Sequence, residues 1–219
     1  MGLLQYVSRL IAPPVCVGCG QEGSVLCEQC VLALTLPRAE VCFWCGRISS
    51  NGQTCPSCRQ FTALAGIKVA ANYEGSMREL IRRLKYYHQR DTARVLATAI
   101  TPLFRKSSFD MVTSVPIATS RLRQRGYNQS ELIAREVARG LAIPYRPLLW
   151  RRRNTQQVGK TRAQRLSQVD GVFVARSPQS GRILVIDDVL TTGATLNACA
   201  IALQVAGAAE VWGAAAARD

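Results

Sequence analysis

Residues 183–195, ILVIDDVLTTGAT, constrain the fold of this chain more than any other stretch. Ile183, Leu184, Val185 and Ile186 are apolar and mostly β-branched, the pattern of a strand buried on both faces of a parallel sheet. Asp187 and Asp188 come at the end of that strand. Val189, Leu190 and the small polar run Thr191, Thr192, Gly193, Ala194 and Thr195 then lead into an apolar-periodic helix. Ligands of open α/β sheets bind at the carboxyl ends of strands. A loop that opens a helix presents backbone N–H groups and the positive end of the helix dipole to an anion. Two adjacent carboxylates add acceptors for sugar hydroxyls, or a face for hydrated Mg²⁺. A buried strand with an acidic turn capping a helix is the plainer alternative. The whole stretch together favours a phosphate-ester site.

The same stretch resembles the PRPP-binding motif of type I phosphoribosyltransferases. That resemblance implies that Asp187 and Asp188 hold the ribose 2- and 3-hydroxyls. It implies too that the site continues through Val189 and Leu190 to Thr191, Thr192, Gly193, Ala194 and Thr195, the loop that wraps the 5-phosphate, with Mg²⁺ accompanying the ligand.

Eight of the nine cysteines form four CxxC pairs: Cys16/Cys19, Cys27/Cys30, Cys42/Cys45 and Cys55/Cys58. A CxxC turn places two thiolates on one metal, and two such turns complete a closed tetrahedral site, so the spacing predicts two structural Zn²⁺. Disulfides are the competing reading, disfavoured because nothing marks the chain as secreted. Sequential sharing, Cys16/Cys19 with Cys27/Cys30 and Cys42/Cys45 with Cys55/Cys58, closes shorter loops than a cross-braced arrangement and is expected on that ground. Metal binding would supply folding free energy to a segment too small to fold unaided. These residues define a small module over 1–60, followed by an α/β domain over 61–219.

Net charge is +14, and the excess lies beyond residue 60, where 24 basic residues face 11 acids. Such a balance suits a polyanion or anionic ligands. Residues 76–79, SMRE, read as a capping box opening a helix whose apolar stripe is Met77, Leu80, Ile81 and Leu84. Its other face carries Arg78, Arg82, Arg83 and Lys85, followed by Tyr86, Tyr87, His88 and Arg90. Cations beside aromatic rings suit single-stranded nucleic acid, and equally a solvated face whose tyrosines cover the core edge. A second helix is expected over 92–104. A strand over 110–115 precedes the loop ATSRLRQRGYNQ, and a helix follows from about Ser130 to Gly140. Arg121, Arg123, Arg125, Asn128 and Gln129 in that loop make a second candidate anion site on the same sheet edge. A strand over 143–150 leads to a basic stretch containing Lys160 and Arg162, read as a loop closing over polyphosphate. Short strands over 171–175 and 210–217 complete a mostly parallel sheet with helices on both faces. The N-terminal 15 residues read as a short amphipathic helix without the signature of a signal peptide. No apolar run approaches the roughly 18 residues of a membrane span, which points to a cytoplasmic protein.

Taken with the CxxC module, the stretches YEGSMRELIRRLKY, SVP, RQRGYNQSELIA and VIDDVLTTGAT resemble the ComF family, including its GntX-like members, over nearly the whole length. The resemblance implies a double zinc ribbon joined to a type I phosphoribosyltransferase-like domain. It also implies a role in natural transformation, in which the chain binds PRPP and single-stranded DNA. Its partners would be the DNA-uptake machinery, such as an ATP-dependent helicase or translocase, at the cytoplasmic face of the inner membrane. The alternative is an active phosphoribosyltransferase, in which an acceptor attacks C1 of PRPP and pyrophosphate leaves. The sequence shows neither a general base nor a pocket for a particular acceptor.

Overall fold

The computed structural model describes residues 13–34, 40–152 and 171–219. In chain order its named elements are α1 (Glu28–Leu32), β1 (Gly66–Asn72), α2 (Gly75–Tyr86), α3 (Thr92–Ile100), β2 (Met111–Ser114), α4 (Thr119–Arg125), α5 (Gln129–Leu141), β3 (Leu149–Arg151), β4 (Phe173–Ala175), β5 (Arg182–Leu190), α6 (Ala194–Val205) and β6 (Glu210–Arg218). The expected N-terminal amphipathic helix and the basic stretch beyond Arg152 lie outside the described residues.

The main sheet has the order β1-β6-β5-β2, and every pair in it is parallel. Strand alternation divides the core between its two faces. Leu184 and Ile186 of β5, with Trp212, Ala214 and Ala216 of β6, pack with the apolar stripes of α2, α3 and α5. Ile183 and Val185, with Val211 and Ala215, pack instead with Leu196, Cys199 and Leu203 of α6 and with Leu149 and Phe173. Because both faces are covered, β5 and β6 read as continuous apolar runs rather than as alternating ones. In β6, residues Ala214 to Ala217 are fully buried despite alanine's weak strand propensity, so burial between two neighbours decides the outcome.

Several local expectations are corrected. Helix α2 begins at Gly75 with Glu74 at its N-cap and no side-chain cap, so the capping box at Ser76 and Glu79 does not form. Glu79 pairs instead with Arg83 one turn on, at 2.9 Å. The arginine loop contains helix α4, closed by Gly126 in the left-handed region at φ 72°. Helix α5 runs past Gly140 to Leu141, and Ala142 takes the left-handed cap. The strand expected over 143–150 shrinks to β3, which forms an antiparallel hairpin with β4 outside the main sheet. Only Tyr145 bridges to β2, at Val112.

The N-terminal module does not stand apart from the rest. Its first half, through Cys16, Val17, Val25 and Leu26, joins the α2–α3–α5 side of the core. Its second half contributes Phe43 to the α6 side. The change at residue 60 is one of architecture, and packing runs across it.

Candidate functional site

Strand β5 does not stop before its acids, as the sequence suggested; it runs through them to Leu190. Its pairing with β6 continues to Leu190 opposite Arg218, while β2 leaves it at Ile186 opposite Ser114. Asp187 and Asp188 therefore stand where β5 projects past its shorter neighbour. The N-terminus of α5 reaches this place, and Ser130 Oγ donates to Asp187 Oδ1 at 2.9 Å. The same oxygen accepts the N–H of Asp188 at 2.9 Å, and Asp188 Oδ1 accepts the N–H of Val189 at 3.0 Å. Asp188 is 5% exposed, and its Oδ2 faces Lys85 Nζ in an ion pair. Burial, then the neighbouring Asp188 charge, push the Asp187 carboxyl up to about 8, against the opposing pull of the Asp188 N–H and the Ser130 hydroxyl. The raised Asp187 carboxyl can therefore donate as well as accept, and vicinal hydroxyls require both kinds of partner.

Lys85 is the main surprise. The sequence placed it with the outward cations of α2, but its side chain is only 18% exposed and turns inward to Asp188. It flanks the buried stripe beside Leu84, and its four-carbon stem carries the ammonium over the apolar edge to the acid.

The loop after the acids divides in two. Val189 and Leu190 belong to β5, and Leu190 is buried in the apolar core, so both side chains serve the scaffold. Thr191, Thr192 and Thr195 are exposed, and Ala194 opens α6. Gly193 is the N-cap residue of α6 at φ 78°, a conformation that costs glycine nothing. The N–H of Asn197 closes the first helical turn on Gly193 O at 2.9 Å. The N–H groups ahead of that bond lie at the positive end of the helix, suited to a phosphate.

The second candidate anion site is only partly open. Asn128 caps α5 by accepting the Ser130 N–H at 3.1 Å, and its amide donates to Val115 O at 2.9 Å. Gln129 is buried and accepts from Arg125 Nη1 at 3.0 Å, while the Arg125 guanidinium lies 5.4 Å from the Tyr86 ring centre. Tyr127 donates its hydroxyl to Leu84 O and carries the Arg90 guanidinium over its ring. The RGYNQ segment is thus a brace that ties α5 to α2 and delivers Ser130 to the acid pair. Arg121 and Arg123 remain exposed to solvent. Arg151 of β3 lies 5.6 Å from the Phe173 ring centre, and burial, then the Arg121 charge, lower its pKa. Lys160 and Arg162 lie outside the described residues.

The cysteines gather as two clusters, Cys16/Cys19/Cys27/Cys30 and Cys42/Cys45/Cys55/Cys58, each with all its sulfurs within 4.8 Å of one another. The sulfurs therefore group in the sequential order expected, not the cross-braced one. The Sγ separations of 3.7 Å for Cys19–Cys27 and 3.6 Å for Cys45–Cys55 match the edge, about 3.8 Å, of a tetrahedron with Zn–S bonds of about 2.3 Å. Thiolate charge is partly met by backbone donors. The N–H groups of Cys27 and Gly18 lie 3.3 and 3.4 Å from Cys16 Sγ. Burial alone would raise the Cys16 thiol, but the N–H groups of Cys27, Cys19 and Gly18 outweigh it and bring it to about 6. The donor set fits zinc and leaves no position for a reacting ligand.

Sequence reasoning did not single out Ser130, Lys85, Tyr127 or Phe43 for these roles. Each acts across a long stretch of intervening chain, and no local spacing signals such a contact.

Comparison with known proteins adds a lineage. The chain is 30% identical over 190 residues to Competence protein F of Haemophilus influenzae, covering 78% of this chain and 83% of that one. It is 27% identical over 196 residues to Competence protein ComFC of Bacillus subtilis, covering 84% and 80%. It is 26% identical over 223 residues to DNA utilization protein YhgH of Escherichia coli, covering 85% and 95%. No family model matches. Among solved structures, the glutamine phosphoribosylpyrophosphate amidotransferase of B. subtilis matches 58% of this chain and 25% of its own, at 22% identity and a TM-score of 0.39. The purine phosphoribosyltransferase of Pyrococcus horikoshii matches 57% and 71%, at 17% identity and a TM-score of 0.36. Both likenesses are too loose to carry an argument about function.

Proposed function

Because this chain belongs to the ComF family of competence proteins, we propose that it binds PRPP with Mg²⁺ at the acid pair and its loop, binds single-stranded DNA on its basic face, and serves DNA uptake. One observation carries the ligand assignment. An acid pair, Asp187 and Asp188, stands where β5 projects past β2, and the chain then runs through Leu190 to the N-terminus of α6, whose free N–H groups suit a phosphate. Asp187 and Asp188 would hold the ribose hydroxyls, and the Thr191–Thr195 backbone and hydroxyls the 5-phosphate. Arg121 and Arg151, whose charges act on one another, would face the pyrophosphate. Mg²⁺, when bound with the ligand, would neutralise part of the pyrophosphate charge.

The DNA assignment rests on the rim beside this site. Tyr86 and Tyr87 are 63% and 58% exposed, and Arg82, Arg90, Arg121 and Arg123 are exposed as well. Exposed rings among cations stack bases and meet phosphates without requiring a sequence. The names of the relatives, competence proteins and DNA utilization proteins, agree with a DNA-handling role. Among the described residues no helix is long and apolar enough to cross a membrane. The proposed place of work is the cytoplasm, at the inner face of the membrane beside an ATP-dependent helicase or translocase.

The transferase reading gains from Asp187: burial and the Asp188 charge raise its carboxyl to about 8, so it could accept or return a proton near neutral pH. Two measurements separate the readings. Pyrophosphate release from PRPP is followed against a panel of nucleobases and amines, and fluorescence polarisation reports oligonucleotide binding over a salt series. The expected result is no turnover, with single-stranded binding that weakens steeply with salt. Turnover with one acceptor and negligible DNA binding would overturn the proposal.

A further inference from the structure

The second four-cysteine cluster is built into the phosphate loop. Phe43 sits inside its first knuckle, between Cys42 and Cys45. A Cβ placed on Gly193 would stand 2.7 Å from Phe43 Cδ2 and 3.1 Å from Cε2, so the ring lies directly against the N-cap residue of α6. Gly193 answers two demands at once, a φ of 78° and this close approach. The other end of the cluster returns to the same helix. The chain leaving Cys58 passes Phe61, and Thr62 Oγ1 then donates to Asn197 Oδ1 at 2.7 Å while the N–H of Ala63 donates to the same oxygen at 2.9 Å. Asn197 is 8% exposed, and its own N–H makes the bond that closes the first turn of α6 on Gly193 O. A third tie, Gln204 Nε2 to Ala63 O at 2.9 Å, holds the segment further along the helix. Trp44 of the knuckle stacks on Phe61 with ring centres 6.1 Å apart and planes within 9°, closing the circuit between the two arms.

We infer that the Cys42/Cys45/Cys55/Cys58 cluster is a positioning element of the phosphate site, with Phe43 and Asn197 its two points of contact. This rests on the reading of Thr191–Thr195 as the phosphate loop. A metal with four thiolates fixes the knuckle and the chain after Cys58 relative to each other. The knuckle presses Phe43 on the N-cap while the second arm grips Asn197 one turn on. The loop between acids and helix is therefore held from behind, with its N–H groups aimed before ligand arrives. Preorganised donors bind better because ordering them is not charged to binding. Neither Phe43 nor Asn197 need touch the ligand. The first four-cysteine cluster lacks this link: Gly18 in its knuckle packs on Cys30 and Ser76, on the α2 side of the sheet.

The test uses the full zinc-loaded chain and the variants Phe43→Ala and Phe43→Leu. Hydrogen exchange is read at the amides of residues 191–197 without ligand, and affinity for Mg²⁺–PRPP by calorimetry. Zinc content is checked in each protein. Phe43→Ala should keep both metals, speed exchange at 191–197, and weaken PRPP binding by about 3- to 30-fold, the range of coupling through packed side chains. Phe43→Leu, which refills most of the space, should recover most of both. Unchanged exchange in Phe43→Ala overturns the inference, whatever happens to affinity, because Phe43 would then not be holding the loop. Faster exchange in the variant, with no PRPP binding even in the parent chain, leaves the coupling standing and overturns the ligand assignment instead.

Discussion

Asp187 should make this protein lose stability as pH rises through neutrality, and Asp187→Asn should remove that loss. The carboxyl is raised from its ordinary 3.8 to about 8 by burial and by the Asp188 charge. The folded chain therefore holds a proton between those values that the unfolded chain has released. Stability from this group is fully present below about 4 and declines as pH rises towards 8. At 1.36 kcal/mol per pH unit, the whole window amounts to at most roughly 6 kcal/mol, and the stretch from pH 6 to pH 8 to roughly 2–3 kcal/mol. Asparagine keeps an oxygen for the Ser130 hydroxyl and the Asp188 N–H, and it never carries the charge. Urea denaturation of the parent and the variant at pH 6, 7 and 8, in Mg²⁺-free buffer with zinc retained, measures the difference directly. All other ionisable groups are common to both proteins, so their contributions cancel in the comparison. The variant's advantage should grow by about 1–3 kcal/mol between pH 6 and pH 8. A difference that does not change with pH would refute the raised Asp187 carboxyl.

Asp188→Asn should abolish calorimetric PRPP binding with zinc content unchanged, because it removes the carboxylate charge of the pair and leaves Lys85 uncompensated; retained affinity would refute the site. Gly18→Ala should lower zinc from two to one per chain by native mass spectrometry, since its Cβ would stand 2.6 Å from Cys30 Sγ, with the second cluster untouched. Arg121→Ala with Arg123→Ala should weaken oligonucleotide binding for all sequences alike and flatten the salt slope by about 0.7 for each phosphate no longer neutralised, read by fluorescence polarisation. Asn128→Ala should lower stability in urea denaturation by about 1–3 kcal/mol, through loss of the α5 cap and of the bond to Val115 O.

The outcomes at individual residues show which inferences travel from sequence to structure. The apolar stripe of α2 was legible because helix geometry places residues three and four apart on one face, whatever the rest of the chain does. The capping box failed one turn earlier: Ser76 and Glu79 have suitable chemistry, but the chain enters the helix at Glu74, and Glu79 finds Arg83. The strand over 143–150 failed for a comparable reason. Its apolar content is real, but a parallel partner is available only at Val112, and the remainder turns away to pair with β4.

By itself the sequence determined that residues 183–195 hold a buried strand, a loop and the start of a helix, the two sets of four cysteines and the small module ahead of a parallel α/β sheet. These features are fixed by covalent proximity: CxxC sulfurs meet across one turn, and a helix must begin where a strand's loop ends. Tertiary structure alone decided what each polar group does. Lys85 looked like one more surface cation until α2 packed beside β5 and gave it Asp188. Asn128 and Gln129 read from sequence as loop residues facing a ligand, and the docking of α4 and α5 gave them Ser130, Val115 and Arg125 as partners. Phe43 was one residue of a knuckle until the sheet brought Gly193 against its ring. A buried charge or donor takes the nearest partner that satisfies it, and which partner is nearest depends on how the elements dock, which no local stretch of sequence encodes.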